Sequence, residues 1–411
     1  MSQPADHRSL DWLNFFVAAL QAGFGPFIPV YLAGAGWHAA EIGFVLSAGA
    51  LAMMISQIPA GLLVDSLHEK RLAAGLGVMA IGLSALLLAL WPGRTPVLAA
   101  EIVHGFASCV VNPAIAAITL ALVGHGAFST RVGVNTRYAA IGTAAAALML
   151  GLAGWWIADR GPLLMTALLT LPTLGALFSI GRIKTRPEEH AEHHAACRPP
   201  SMRRAAGARV WHLLSDRGLV TFAACAALFF LADAATLPFA LEGLEQADGR
   251  KTELVTSLAV IIPQLIAALL APGFGRLAEQ RGRRQVLLIG FAALPIRSVL
   301  LALMPGAIPL LVLQSLNGVS AAVFGIMVPL IAADLTPRHG YLNLAMGAIG
   351  LASGIGATLS TAVAGLIAER FGLPATQLAL ALFGLAATLL LWATMPETHP
   401  AGPNVSLPQP A

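Results

Sequence analysis

The chain alternates long apolar runs with short polar connections, and the run lengths set the architecture. Twelve runs can be followed along its 411 residues, at about 13–33, 42–63, 72–91, 96–123, 138–157, 162–181, 219–241, 253–275, 285–304, 306–333, 344–368 and 374–395. Each is close to the roughly 20 residues a helix needs to cross a hydrocarbon core about 30 Å thick. Membrane-crossing strands would show short segments of alternating polarity instead, and none of the runs alternates. The pattern predicts an all-α membrane protein of twelve transmembrane helices, bundled closely because most connections are short. Composition agrees. The chain is 57% hydrophobic and 11% charged, whereas soluble domains average about half apolar and a quarter charged.

The longest interruption, RIKTRPEEHAEHHAACRPPSMRRAAGARVWHLLSDR (182–217), separates six runs from six. This predicts an amino-terminal half (1–181), a cytoplasmic linker (182–217) and a carboxy-terminal half (218–411) ending in a short polar tail. The halves repeat each other at offsets of 211 to 214. FVAALQAGFGPF (16–27) aligns with LFFLADAATLPF (228–239), which sets Gln21 on Asp233 and Pro26 on Pro238. EIVHG (101–105) aligns with QSLNG (314–318), and AGWWIADRG (153–161) with AGLIAERFG (364–372). Such internal duplication points to a transporter whose site lies between its halves near the bilayer midplane.

Charge orients the bundle. Of 24 Lys and Arg, 18 fall at the amino terminus or around even-numbered connections. Five (Arg94, Arg160, Arg250, Lys251 and Arg370) fall around odd ones, and Arg297 lies inside the ninth run. The positive-inside rule then puts both termini in the cytoplasm of an inner-membrane, multi-pass protein. The net charge of +4 follows this topology and does not imply nucleic acid. The start, MSQPADHRSLDW, has no basic region leading to a cleavage site, so the first helix is expected to stay. Three cysteines, two of them within apolar runs, suggest no disulfide framework.

Two charged stretches stand out because they repeat: GLLVDSLHEKR (61–71) and GFGRLAEQRGRRQ (273–285). Residues 275–284 fit the pattern G-x-L-x-D-x-x-G-[RK]-[RK], with Glu279 for Asp. The first copy has His68 in place of the second glycine and Glu69 at the first basic position. With the duplication and the linker, these loops resemble motif A of the major facilitator superfamily over nearly the whole chain. The resemblance implies that family's fold and a cytoplasmic latch that closes in one state and breaks in the other. The latch residues would be Gly61, Asp65, Lys70 and Arg71, with Gly275, Glu279, Gly282, Arg283 and Arg284. The glycines permit close helix approach, and the acids accept from helix ends and basic groups. The alternative is a topology signal alone, which would need neither the acids nor the glycines.

Ionisable groups inside spans are costly and mark functional sites. Glu101 and His104 share a face of the fourth helix. The superfamily's motif B would have Arg at 101 and Gln at 104, so a proton-relay role for that arginine does not carry over. A carboxylate beside a histidine can itself bind and release a proton, or it can reach the interface with a hydrogen-bonded histidine. Asp233 and its repeat mate Gln21 lie on the seventh and first helices, which line the cavity in this superfamily, as do the fourth and tenth. They are expected to face each other across the pathway, with Asp233 titrating or binding a cationic or polar substrate. The alternative is a structural pair of Asp233 with Arg297. Gln314 and Asn317 on the tenth helix offer a substrate-orienting wall or a helix–helix hydrogen bond. Asn112-Pro113 marks a bend or a cap. The tract HAEHHAAC (190–197) lacks a standard zinc spacing and is read as solvated linker, with no metal site. No nucleotide loop, catalytic Ser or Cys arrangement or dinucleotide fingerprint occurs, so neither an enzyme nor a cofactor is expected.

The resulting expectation is a monomeric secondary active transporter in the lipid bilayer, coupled to protons or another ion, moving a small-molecule substrate outward by alternating access. The alternatives are an importer of a nutrient or metal-chelate and, last, a non-transporting receptor or scaffold. The exporters' Gly-Pro pair in the fifth helix is missing from GTAAAALMLGLAG (142–154), which weighs against a drug antiporter without excluding export. Topology gives the first test. Reporter fusions near Arg203 and near Glu253 should report opposite sides of the membrane, and the same sign at both would invalidate the helix count.

Overall fold

The computed structural model describes residues 4–24, 27–67, 69–157, 160–181, 211, 215–248, 252–336 and 341–398. Most of the linker, including His190, His193, His194 and Cys197, lies outside these residues, as do Pro26 and His68. The regular structure of the described residues is helical. The first half contains α1 (Pro4–Ala22), α2 (Phe27–Gly34), α3 (Ala39–Ser66), α4 (Lys70–Leu90), α5 (Arg94–Val123), α6 (His125–Ile157) and α7 (Gly161–Ser179). The second contains α8 (Arg217–Asp233), α9 (Thr236–Asp248), α10 (Thr252–Arg281), α11 (Arg283–Leu303), α12 (Ala307–Leu335) and α13 (Leu342–Thr394).

Nine helical stretches among the described residues are long and apolar enough to cross a bilayer. The apolar runs map onto helices, but not one to one. Run 13–33 is divided between α1 and α2, and run 219–241 between α8 and α9. The last two runs share α13, which breaks at Gly372, where φ is 81°. That left-handed backbone favours glycine, and Pro374 follows.

Each helix buries one stripe. On α4 the exposed residues Leu72, Leu76, Met79, Leu83, Leu86 and Leu90 recur at steps of three and four, while Ala74, Val78, Ile81, Ala85 and Leu88 are fully buried on the other side. An apolar outer stripe suits contact with lipid rather than water. One core joins α1, α3, α4, α5, α6 and α7 within the first half. Another fills the second half and takes in Phe128 and Val132 of α6. Helix α6 therefore belongs by sequence to one half and by packing to both.

Because lipid tails are as apolar as leucine, close approach of backbones rather than water exclusion drives such packing. The duplication reappears here as geometry. A methyl group on Gly142 of α6 would lie 2.9 Å from the Phe15 carbonyl carbon of α1, and one on Gly356 of α13 would lie 2.8 Å from the Ala227 carbonyl carbon of α8. Gly142→Leu and Gly356→Leu should each destabilise the folded protein by about 1–3 kcal/mol or more, the cost of overpacking a tight contact. Gly175→Leu, at a position facing open space, should be tolerated. Thermal unfolding in detergent checks this, and equal melting points for all three variants would contradict the packing account.

Candidate functional site

The two halves meet at the end of the bundle that carries the repeated charged loops. There the last turns of α3 lie against the start of α13, and the last turns of α10 against the start of α6. On α3, a Cβ on Gly61 would come within 2.7 Å of the Asn343 carbonyl carbon. Four residues on, Asp65 sends its carboxylate across the interface. One oxygen accepts from the Asn343 amide nitrogen (3.1 Å) and Nδ2 (2.6 Å), and the other from the Leu344 amide (2.8 Å). Helices start with unsatisfied N–H groups and a partial positive charge. Asp65 is thus a cap for α13 supplied by the opposite half.

The mirror contact is weaker. A Cβ on Gly275 would meet the Ser129 carbonyl oxygen at 2.7 Å, and Glu279 accepts from the Ser129 hydroxyl and, at 3.5 Å, from Arg283. Ser129 and Asn343 are repeat mates at the same offset of 214 that relates Gly61 to Gly275 and Asp65 to Glu279. The latches differ in burial: Asp65 is 7% exposed, whereas the Glu279 side chain is 37% exposed.

The basic members of the loops hold their own halves together. Lys70 donates to the Asp65 carbonyl (3.1 Å), and Arg71 donates to the Phe178 carbonyl at the end of α7 (3.0 Å). Gly282, with φ at 91°, starts α11. Arg283 is buried and donates from Nε to Asp334 (2.9 Å) and from Nη1 to the Ala278 carbonyl (2.8 Å). Glu397, just past α13, accepts from the amides of Arg283 and Arg284 (2.7 and 3.2 Å), and Arg284 also donates to the Trp392 carbonyl.

The candidates inside the spans separate into two chemically different groups. In the second half, Asp233 ends α8 and accepts from Arg297 of α11 at 2.6 Å. Arg297 is 2% exposed and its partner 22%. The break after Asp233 frees backbone groups that are then satisfied. The Ala235 amide donates to Ser360 (3.0 Å), and Gln377 donates to the Thr236 carbonyl (2.9 Å), both from α13. Gln314 is buried and donates to the Ala259 carbonyl of α10 (2.9 Å), so it serves as a helix–helix bond. Asn317 is half-buried on α12.

In the first half, Gln21 ends α1 and pairs amide to amide with Asn112 of α5 at 3.4 Å. Gln21 and Asp233 thus each have a partner within their own half, and the Asp233–Arg297 pair is the alternative the sequence left open for Asp233. Glu101 is 5% exposed and fits a space left by Gly49 of α3, where a Cβ would lie 2.7 Å from its Oε2. Its Oε1 has no hydrogen-bond partner among the described residues. His104 is buried and its ring stacks on Phe24, centroids 3.7 Å apart and planes 6° from parallel. Asn343, Ser129, Phe24, Ser360 and Gln377 escaped the reading of the sequence. The 214-residue offset, applied beyond the charged loops, would have paired Ser129 with Asn343.

A model of the Major Facilitator Superfamily matches residues 10–247 and again 222–410. The chain belongs to this family of membrane transporters. It is 33% identical over 396 residues, 96% of this chain and 94% of the relative, to an uncharacterized MFS-type transporter of Mycobacterium tuberculosis. It is 30% identical over 155 residues, 38% of this chain and 37% of the relative, to the multi-drug resistance efflux pump PmrA homolog of Lactococcus lactis. Its fold is similar to that of the proton:xylose symporter XylE, with a TM-score of 0.73, 12% identity and 96% of each chain covered.

The unequal latches predict unequal mutants. Asp65→Asn replaces a buried, charge-assisted acceptor of three bonds, and Glu279→Gln a half-exposed acceptor. Both should cut transport with protein yield retained, Asp65→Asn by the larger factor. Cysteine labelling should shift towards greater access at the charged end. Unchanged transport and labelling in both variants would reduce the motif to a topology signal.

Proposed function

We propose that the chain is a monomeric secondary active transporter of the inner membrane. It exports a small organic compound from the cytoplasm by alternating access, driven by protons flowing the other way. The charged end faces the cytoplasm on this reading, as its basic residues suggest, and the linker 182–217 joins the halves there. The interlocked Asp65 and Glu279 contacts then hold the cytoplasmic side shut, the state in which substrate is exchanged with the outside. Export is favoured by the similarity to an efflux pump over more than a third of the chain.

The observation that carries the coupling is the contrast between the two intramembrane acids. Asp233 has a cation, Arg297, bound to it, and removing either partner of such a pair leaves the other uncompensated. Among the described residues, Glu101 has no cation bonded to it and one carboxyl oxygen without a hydrogen-bond partner. A buried acid free of a counter-charge is one whose proton can be taken up in one conformation and released in another, which is what coupling requires. The sequence alone ranks Asp233 first because it is deeper; the pair with Arg297 moves Glu101 ahead of it.

The transported compound can be found by comparing metabolites released by cells with and without the protein, and then followed in proteoliposomes. Glu101→Gln should lower accumulation driven by an imposed pH gradient at least tenfold while leaving exchange at equal concentrations intact. Asp233→Asn, which strands a buried arginine, should lower stability and both fluxes together. Full gradient-driven accumulation in Glu101→Gln would remove Glu101 from the mechanism.

A further inference from the structure

Residues 101, 104, 108 and 112 fall at successive steps of three, four and four along α5, which sets them on one face of the helix. They read Glu, His, Ser, Asn. The row rises about 16 Å at 1.5 Å per residue, through the interior of the first half to the Gln21–Asn112 pair. Asn112 is exposed, unlike the three residues before it. Two atoms in the row, Glu101 Oε1 and Ser108 Oγ, are buried and have no hydrogen-bond partner among the described residues. Buried polar atoms are nearly always bonded, to protein or to water. On one side the row is closed, by the Phe24 ring lying flat on His104.

We propose that this face of α5 holds a file of internal water, bonded to Glu101, His104 and Ser108, through which Glu101 exchanges its proton with the aqueous pathway at Asn112. The inference rests on the proton-coupled reading above and names its route. A proton leaving Glu101 passes to the adjacent water as another leaves the file beside Asn112. The file keeps its charge while the carboxyl gains one negative charge. Reprotonation runs in reverse. Ser108, a donor and acceptor at once, bridges the gap between His104 and Asn112 that no other polar group on α5 spans.

Other ionisable groups on the packed helices lie away from the row. On α3 there is Glu41, already bonded to Arg94, and at the far end Asp65. On α4 only Lys70 and Arg71 occur, at the charged end. On α1 the last is Asp11, bonded to Arg131 of α6, and α6 has none after Tyr138. In α2, Tyr31 donates to the Leu88 carbonyl (2.9 Å), and α13 has none between Tyr341 and Glu369. The only titratable neighbour of Glu101 in the row is His104.

The test needs no transported compound. Infrared difference spectra of the full-length protein in lipid, between acid and alkaline buffer, should contain a protonated-carboxyl band that disappears in Glu101→Gln. After a switch from H2O to D2O, the shift of that band measures how fast Glu101 meets solvent. Ser108→Ala should slow it at least tenfold, and so should Asn112→Leu, while Ser108→Thr, which keeps the hydroxyl, should restore the wild-type rate. Wild-type exchange in both Ser108→Ala and Asn112→Leu would overturn the file. A missing Glu101 band in the wild type would instead overturn the proton-coupled reading on which it rests.

Discussion

A carboxylate at the start of another helix is a strong interaction that needs very little surface. Asp65 satisfies two amides and a side-chain amide at the beginning of α13, groups that would otherwise be unpaired in a buried contact. Its strength depends on approach: Gly61 and the small residues of α13 bring the backbones close enough for a short acid to reach. The groups in the contact are also ones that water solvates well. Once the helices separate, water can take over both the carboxylate and the amides, so the free-energy difference between closed and open is modest although each bond is good. In this structure the contact clasps the two halves together.

The duplicated halves use this device unequally. Asp65 is sealed and triply bonded, whereas Glu279 shares its carboxylate between a serine hydroxyl and Arg283. The difference extends inward. The second half neutralises its intramembrane acid with an arginine and ties the break between α8 and α9 to α13 through Ser360 and Gln377. Among the described residues, the first half leaves Glu101 without a cation and aligns it with histidine, serine and asparagine on a single helix. The two copies of the pattern therefore differ in charge compensation: Asp233 is paired with an arginine, and Glu101 has no ion-pair partner among the described residues.

Much of this was legible in the residue pattern. Run lengths fixed the helical membrane class, because backbone groups in lipid must be bonded within the segment. The loops 61–71 and 273–285 showed both the duplication and the latch, since acid, glycine and basic residues recurred at fixed spacing. Glu101 with His104 could be singled out because charge is rare within spans. Partners were less visible. That Asp65 would meet Asn343 and Leu344, 278 and 279 residues away, depended on how one half docks on the other, and no local pattern carries that.

Gln21, Asp233 and Gln314 make the same point from the other side. Repeat alignment set Gln21 on Asp233, but equivalent positions in a pseudo-symmetric pair take their partners from different surroundings. Each found a neighbour in its own half, Asn112 for one and Arg297 for the other, and Gln314 turned to the α10 backbone. The sequence by itself determined the helical membrane class, the repeat at offsets of 211 to 214 and which apolar runs carry ionisable groups, because hydropathy and spacing are properties of the chain. Only the tertiary structure decided which buried charges are compensated, because that depends on which side chains from distant helices come within hydrogen-bonding reach.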